Sequence, residues 1–444
     1  MRLRDLIFTW LLILIVVGAI WYSEDITTPH PEPGPVHIAY WEKWTGFEAD
    51  AMRDVVNYYN RSQNRIHVDL LMVSGIENKT LMATAGGNPP DVAGLYGPNV
   101  AQYADDHAIQ PLDAYCRQYG ISADQYIPAY WNMGFYHGHV YALPTTPATT
   151  ALHYDKTMFQ QAGLDPNNPP KTIEEMDSDA ARITTTDAQG HILKSGFMPS
   201  EPGWWNWAWG YFFGGKLWDG KDKITANDPN NVRAFSWVQS YAKKYGVTEL
   251  QTFHSGFGNF SSPQNAFLSG KVAMELQGVW MSNFINKFAP GLKWGAVPFP
   301  YPADRPDLAD SSVLDEDILV IPRGAKHPKE AFDFIAFVES QKGMEMLCMG
   351  QRKHTPLRKV SAWFWAHHPN PYIKLFADLA WSKNAITPPK IGIWPEYGAE
   401  LSNAFDEISL MQKTPRQALD EVQARMQGKW DEYLRHLRLR GEAR

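Results

Sequence analysis

A chain of 444 residues with 44% hydrophobic and 20% charged residues has enough apolar material for two or three buried cores, which excludes disordered and fibrous classes. Its formal net charge of -7, with no long basic run before Arg435–Arg440, argues against a nucleic-acid partner, and that tail reads as a solvated helix end. Two cysteines, Cys116 and Cys348, are too few for a disulfide framework, so both read as buried free thiols.

The amino terminus is apolar from Leu6 to Tyr22 except at Thr9, and Arg2 and Arg4 precede it. Positive charge there holds the terminus in the cytoplasm and sends the rest of the chain outward. The run is close to the shortest that spans a bilayer. Val17-Gly18-Ala19 is a possible cleavage site, but Ile20, Trp21 and Tyr22 prolong the apolar run into an aromatic belt, which favours a retained anchor. Thr27–Pro35 follows as a proline-stiffened spacer, so residues 1–35 stand apart from the folded chain.

Val36–Trp41 reads as a first strand, followed by a helix with Phe47, Ala51, Val55, Val56 and Tyr59 on one face and a second strand at Ile66–Met72. Strand, helix, strand predicts a parallel sheet with helical crossovers. Asp91–Leu95 is a third strand, and the Tyr96–Asn99 loop lies at its carboxyl end, where ligands of such sheets collect. Val140–Pro144 and Leu152–Tyr154 are further strands. Thr172 with Glu175 forms a capping box for a helix to about Ile183, and Asp228 with Pro229 starts another through Lys244. Ser262 and Pro263 predict a short helix ending near Ser269, with Gly270 in the left-handed conformation after it. Val272–Leu276 is a compact apolar strand. Gly278 then lets the backbone approach a neighbour closely, and Trp280 stands beside that gap. Pro328 and Thr414 with Pro415 open the last long helices.

Several of these stretches resemble a known family. Gly270–Met274 followed by Gly278-Val279-Trp280, Tyr40–Glu48, Pro90-Asp91-Val92, Ala142-Leu143-Pro144 with Tyr154-Asp155-Lys156, Val297-Pro298, Ile321-Pro322 and Pro328–Gly343 occur in family order. Together they are similar to the family 1 extracellular solute-binding proteins of bacterial ABC sugar importers, the maltose-binding-protein-like receptors. The resemblance implies an α/β, two-lobed type II periplasmic-binding-protein fold with a hinge and an interlobe cleft. It further implies a first lobe of residues 36–146 and 270–317, a second of 147–269 and 318–444, and a first hinge near Pro144–Pro147. The implied function is capture of a carbohydrate outside the cytoplasm, an oligosaccharide by preference, by a monomer that delivers it to permease subunits. No catalysis, cofactor or metal is implied.

Eighteen tryptophans are the strongest chemical signal, because an aromatic face matches the C–H face of a pyranose while Asp, Asn and Glu bind its hydroxyls. The family position makes Trp280 a sugar platform. Within Trp204-Trp205-Asn206-Trp207-Ala208-Trp209 the rings cannot all face one core, so Trp204 and Trp205 are candidates, and Trp44 and Trp394 join them. Glu48 is the acidic position that contacts ligand in the family. Asp91, Asn99 and Gly278 complete the expected site, although Asp91 fits a turn cap equally well. Asp315-Glu316-Asp317 departs from the glycine-rich pattern expected at the second crossing and leaves hinge and ligand roles both open. Enzyme readings lack support: there is no phosphate-binding loop, nucleophile elbow or zinc-protease motif. The pairs His137/His139 and His367/His368 read as surface histidines. The rival readings are a hydrolase with an aromatic cleft and a membrane-tethered sugar sensor.

Overall fold

Alternate burial makes Val36–Glu42 a half-buried strand, with Ile38, Tyr40 and Glu42 turned inward. In the computed structural model, which describes residues 10–19 and 34–441, this strand pairs in parallel with Ile66–Met72 on one side and Val92–Tyr96 on the other. Parallel pairs need crossovers, and the helices Gly46–Ser62 and Ile76–Ala85 supply them. Residues 10–19 are helical with exposed side chains. The rest of the expected anchor Leu6–Tyr22, and the spacer up to residue 33, lie outside the described residues. No described helix is long and apolar enough to cross a membrane.

The sheet continues from Val92–Tyr96 to Ser312–Val320, Leu143–Asp155, Val272–Gly278, Ile192–Phe197 and Thr185–Thr186. Its middle is built by two strands that run from one half of the molecule to the other. Leu143–Asp155 pairs through Leu143–Thr149 with Ser312–Val320, and through Thr150–Tyr154 with Val272–Gly278. Ser312–Val320 meanwhile pairs at Asp317–Val320 with Val92–Tyr96. The register between these two crossing strands shifts between Glu316 and Ile318. A bulge of this kind re-aims side chains locally.

Each half has its own core. Ile38, Tyr40, Met52, Val55, Leu319, Phe334 and Val338 cluster on the first three strands. Leu152, Phe197, Trp209, Phe235, Leu276, Tyr397 and Met426 cluster in the other half. These clusters and the strand pairing depart from the expected division of the chain. Val272–Gly278, assigned above to the first lobe, is bonded to Leu143–Asp155 and Ile192–Phe197 in the second half. The helices Pro328–Glu339 and Gln341–Gln351, assigned to the second lobe, bring Phe334, Val338 and Leu347 into the first core. Trp394–Ser409 and Pro415–Leu439, with Ile386, Ile391 and Ile393 before them, contribute to the second core.

Local expectations fare differently according to how local their causes are. The Thr172 capping box is made, with Glu175 N–H donating to Thr172 Oγ1 at 3.1 Å and Thr172 N–H to Glu175 Oε2 at 3.1 Å. Asp228 caps Pro229–Tyr245 and Thr414 caps Pro415–Leu439. The helix expected over 263–269 is instead a run of turns. Asn265 Oδ1 accepts the Phe267 and Leu268 N–H groups, each at 3.0 Å, and so offers the backbone an alternative to helical bonding. Gly270 takes the left-handed conformation, with φ of 67°. Cys116 and Cys348 are free and buried.

Candidate functional site

The carboxyl ends of Val36–Glu42 and Val92–Tyr96, the two crossing strands and the tryptophan-rich segments of the second half enclose a cavity of about 460 Å³. That volume lies within the range of small-molecule sites. Six of the nine expected residues line it: Trp44, Glu48, Trp204, Trp205, Trp280 and Trp394.

The second half supplies an aromatic wall. The Trp280 ring centroid lies 5.7 Å from that of Trp204 and 6.3 Å from that of Trp205, tilted by 47° and 35°. Trp204 meets Phe260 edge-on at 4.7 Å, and Trp394, the first residue of its helix, meets Trp207 edge-on at 4.9 Å. Trp204 and Trp280 keep partial solvent contact, whereas Trp205 and Trp394 are buried. Gly278 does not itself line the cavity. A Cβ at this position would lie 2.2 Å from Trp280 Cη2, so the missing side chain is what admits the ring.

The floor is a charged network. Asp317 accepts from Lys43 Nζ at 2.9 Å and lies 3.4 Å from Lys353 Nζ, so one carboxylate bridges two lysines. Lys43 also contacts Glu42 at 3.3 Å, and Lys353 contacts Glu48 at 2.8 Å. Glu48 occupies the first turn of Gly46–Ser62, where the helix dipole favours a carboxylate. Thr146 Oγ1 donates to Asp317 at 2.9 Å. Lys353 Nζ lies 5.9 Å from the Trp44 ring and 5.7 Å from the Trp280 ring, between aromatic residues of the two halves. Burial works against the charge on Asp317, but Lys43 and Lys353 outweigh it and hold the carboxyl below its usual range. Burial likewise works against Lys43, and Asp317 and Glu42 keep it firmly protonated. Its two neighbours behave in the opposite sense: burial raises Asp315 to about 7 and lifts Glu316 well above the usual carboxyl range. Both carboxyl oxygens of Glu316, and Nε1 of Trp205, are buried without a hydrogen-bond partner in the protein.

Three expected residues stand elsewhere. Asp91 accepts Ala39 N–H at 3.0 Å and His327 N–H at 2.8 Å, tying the first strand to the start of the helix Pro328–Glu339. Asn99 ends the short helical turn Gly97–Asn99, and its neighbours Tyr96 and Pro98 line the cavity in its place. Gly278 lies against the Trp280 ring. Sequence reasoning missed Lys43, Trp207, Phe260, Phe284 and Lys353, and pointed to Tyr96 only as part of its loop. Trp207 sat within a noted cluster and Lys43 beside Trp44, but nothing around Lys353 signalled that it crosses to Glu48.

The profile of the family described as bacterial extracellular solute-binding protein matches residues 56–370. Among curated relatives, the sn-glycerol-3-phosphate-binding periplasmic protein UgpB of Pectobacterium atrosepticum is 23% identical over 415 residues, covering 87% of this chain and 89% of its own. UgpB of Escherichia coli K12 is 24% identical, covering 75% and 78%. Among solved structures, CpMnBP1 with mannotriose bound is 30% identical with a TM-score of 0.79, covering 88% of this chain and 99% of its own. Maltose-bound MalE3 of T. maritima is 17% identical with a TM-score of 0.68, covering 88% and 98%, a likeness of fold alone. The fold is therefore the α/β, two-lobed one of periplasmic sugar-binding proteins.

Proposed function

Because the chain belongs to the bacterial extracellular solute-binding protein family, we propose that it captures a carbohydrate outside the cytoplasm and delivers it to the permease of an ABC importer. The observation that supports a sugar is the pairing of an aromatic wall, Trp204, Trp205 and Trp280, with acceptors and a donor that the protein leaves free. Pyranose C–H faces pack on indole rings, and sugar hydroxyls can donate to Glu316 and accept from Trp205 Nε1–H. An oligosaccharide would use more than one ring of this wall. Trp44, Glu48, Trp204, Trp205, Trp280 and Trp394 are the proposed contacts, with Asp315, Glu316 and Lys353 added.

A second reading comes from the relatives whose names specify sn-glycerol-3-phosphate. Charge argues against it here. A phosphate ester brings about 1.5 to 2 negative charges and calls for uncommitted cations. Lys43 and Lys353 each already contact two carboxylates, and no arginine lines the cavity among the described residues. Calorimetric titration separates the readings: mannotriose should bind and sn-glycerol-3-phosphate should not, and the reverse result removes the sugar reading.

The proposed lobes are residues 36–148 with 317–368, and 149–316 with 369–441, joined by the crossing strands as a hinge. Ligand that touches both lobes binds the closed form better and shifts the population towards it. The protein acts as a receptor and not as a hydrolase; release of reducing sugar from an oligosaccharide by pure protein would contradict this. Residues 6–22 are proposed to remain as an anchor to the inner membrane. Intact amino-terminal mass in a membrane fraction is the expected result, and a mature terminus at Ile20 would refute it.

A further inference from the structure

We propose that His37, His67 and Asp69 form a binding site for a divalent transition-metal ion of the zinc type, separate from the sugar cleft. The parallel register sets His37 directly beside His67 and Ala39 beside Asp69. His67 and Asp69 are two residues apart on one strand, so they share a face, and His37 shares it from the next strand. Three ligand-bearing side chains thus converge on the edge of the sheet, since Ile66–Met72 is the outermost strand of the order.

The spacing suits tetrahedral coordination. Ligands about 2.0 to 2.1 Å from a zinc ion sit about 3.3 Å from one another. His37 Nδ1 lies 2.8 Å from Asp69 Oδ2, and His67 Nε2 lies 3.6 Å from Asp69 Oδ1. Each imidazole thus meets one oxygen of the same carboxylate at near the required spacing, and one ligand atom from each residue falls within 4.8 Å of the others. The two imidazole rings are 4.9 Å apart. Closing the set around an ion asks only for side-chain rotation, since the parallel register already places the three residues side by side. Side-chain exposures of 62% for His37, 45% for His67 and 55% for Asp69 leave the outer side open for a water as fourth ligand. Two imidazoles and one carboxylate select zinc, copper or nickel over magnesium and calcium, which prefer all-oxygen sets.

His37 and His67 are second in their strands and Asp69 is midway along its own, whereas Trp44 lines the cleft beyond the carboxyl end. At about 3.3 Å per residue the cluster and the cleft are separated by roughly 16 to 23 Å, so neither occludes the other. Without a metal role the cluster is an exposed set of His–Asp contacts, which is worth little on its own.

Metal-stripped full-length protein titrated with zinc chloride in a calorimeter tests the proposal, with cobalt(II) absorption reporting coordination. One saturable equivalent is expected. His67→Ala and Asp69→Asn should each weaken it by roughly tenfold or more, while His436→Ala leaves it unchanged. Because none of the three ligands is buried, melts of the variants should match the parent and exclude misfolding as the cause. Absence of saturable binding, or binding that survives both His37→Ala and His67→Ala, would overturn the proposal.

Discussion

Trp280 concentrates the cleft's chemistry in one side chain: its ring faces Trp204 and Trp205 and lies 5.7 Å from the Lys353 ammonium. As a sugar platform, its replacement by Ala should remove roughly 1 to 3 kcal/mol of binding, about 5- to 150-fold in affinity. Its partial solvent contact means that the fold should survive. Calorimetry beside a thermal melt checks this, and an unchanged affinity with a collapsed melt would identify a core residue instead. A different titration governs stability. Glu275 is buried in Val272–Gly278, and burial, aided by the charge of Glu201, raises its pKa from 4.5 to about 8. The folded state therefore holds a proton that the unfolded state releases. This contribution is complete below the ordinary carboxyl pKa and is lost as pH rises through about 8. Melting temperatures should fall from about pH 5 to about pH 9, and Glu275→Gln should flatten that fall. Equal slopes for parent and variant would exclude Glu275 as the cause.

At the scale of the element, Val272–Gly278 shows both what a sequence can disclose and what it hides. Its apolar run, the left-handed Gly270 before it and the close approach at Gly278 follow from neighbouring residues, and all three are present. Its place in the sheet depends on Leu143–Asp155, more than a hundred residues earlier, and on Ile192–Phe197, so no local pattern could place it. The helix expected before it failed for a local reason of another kind, the competing Asn265 side chain. Tryptophans could be picked out as cleft candidates by type, but the Lys353–Glu48 and Lys43–Asp317 contacts join distant segments and carry no sequence signal. The element also yields a sharp variant. Gly278→Ala places a methyl 2.2 to 2.4 Å from Trp280 ring atoms, so the ring must move. Sugar affinity should fall towards that of Trp280→Ala, while stability drops by about 1 to 3 kcal/mol. A denaturant series with parallel titrations measures both, and wild-type affinity in this variant would separate Gly278 from the platform.

For the whole molecule, the crossing strands Leu143–Asp155 and Ser312–Val320 join two cores through one continuous sheet. Spin labels at Leu71→Cys and Leu193→Cys, exposed positions on opposite halves, should shift their separation when ligand closes the hinge. Labels at Leu193→Cys and Met411→Cys, both in the second lobe as proposed, should not; buried Cys116 and Cys348 will resist labelling. A shift in the second pair would redraw the lobes, and no shift in the first would exclude hinge closure. The most direct test of the central claim is a single calorimetric comparison: mannotriose and sn-glycerol-3-phosphate titrated into the wild-type protein and into Trp280→Ala. The account predicts saturable binding of the neutral oligosaccharide, weakened roughly 5- to 150-fold in the variant, and no binding of the phosphate ester. Tight binding of sn-glycerol-3-phosphate that is indifferent to Trp280 would contradict it.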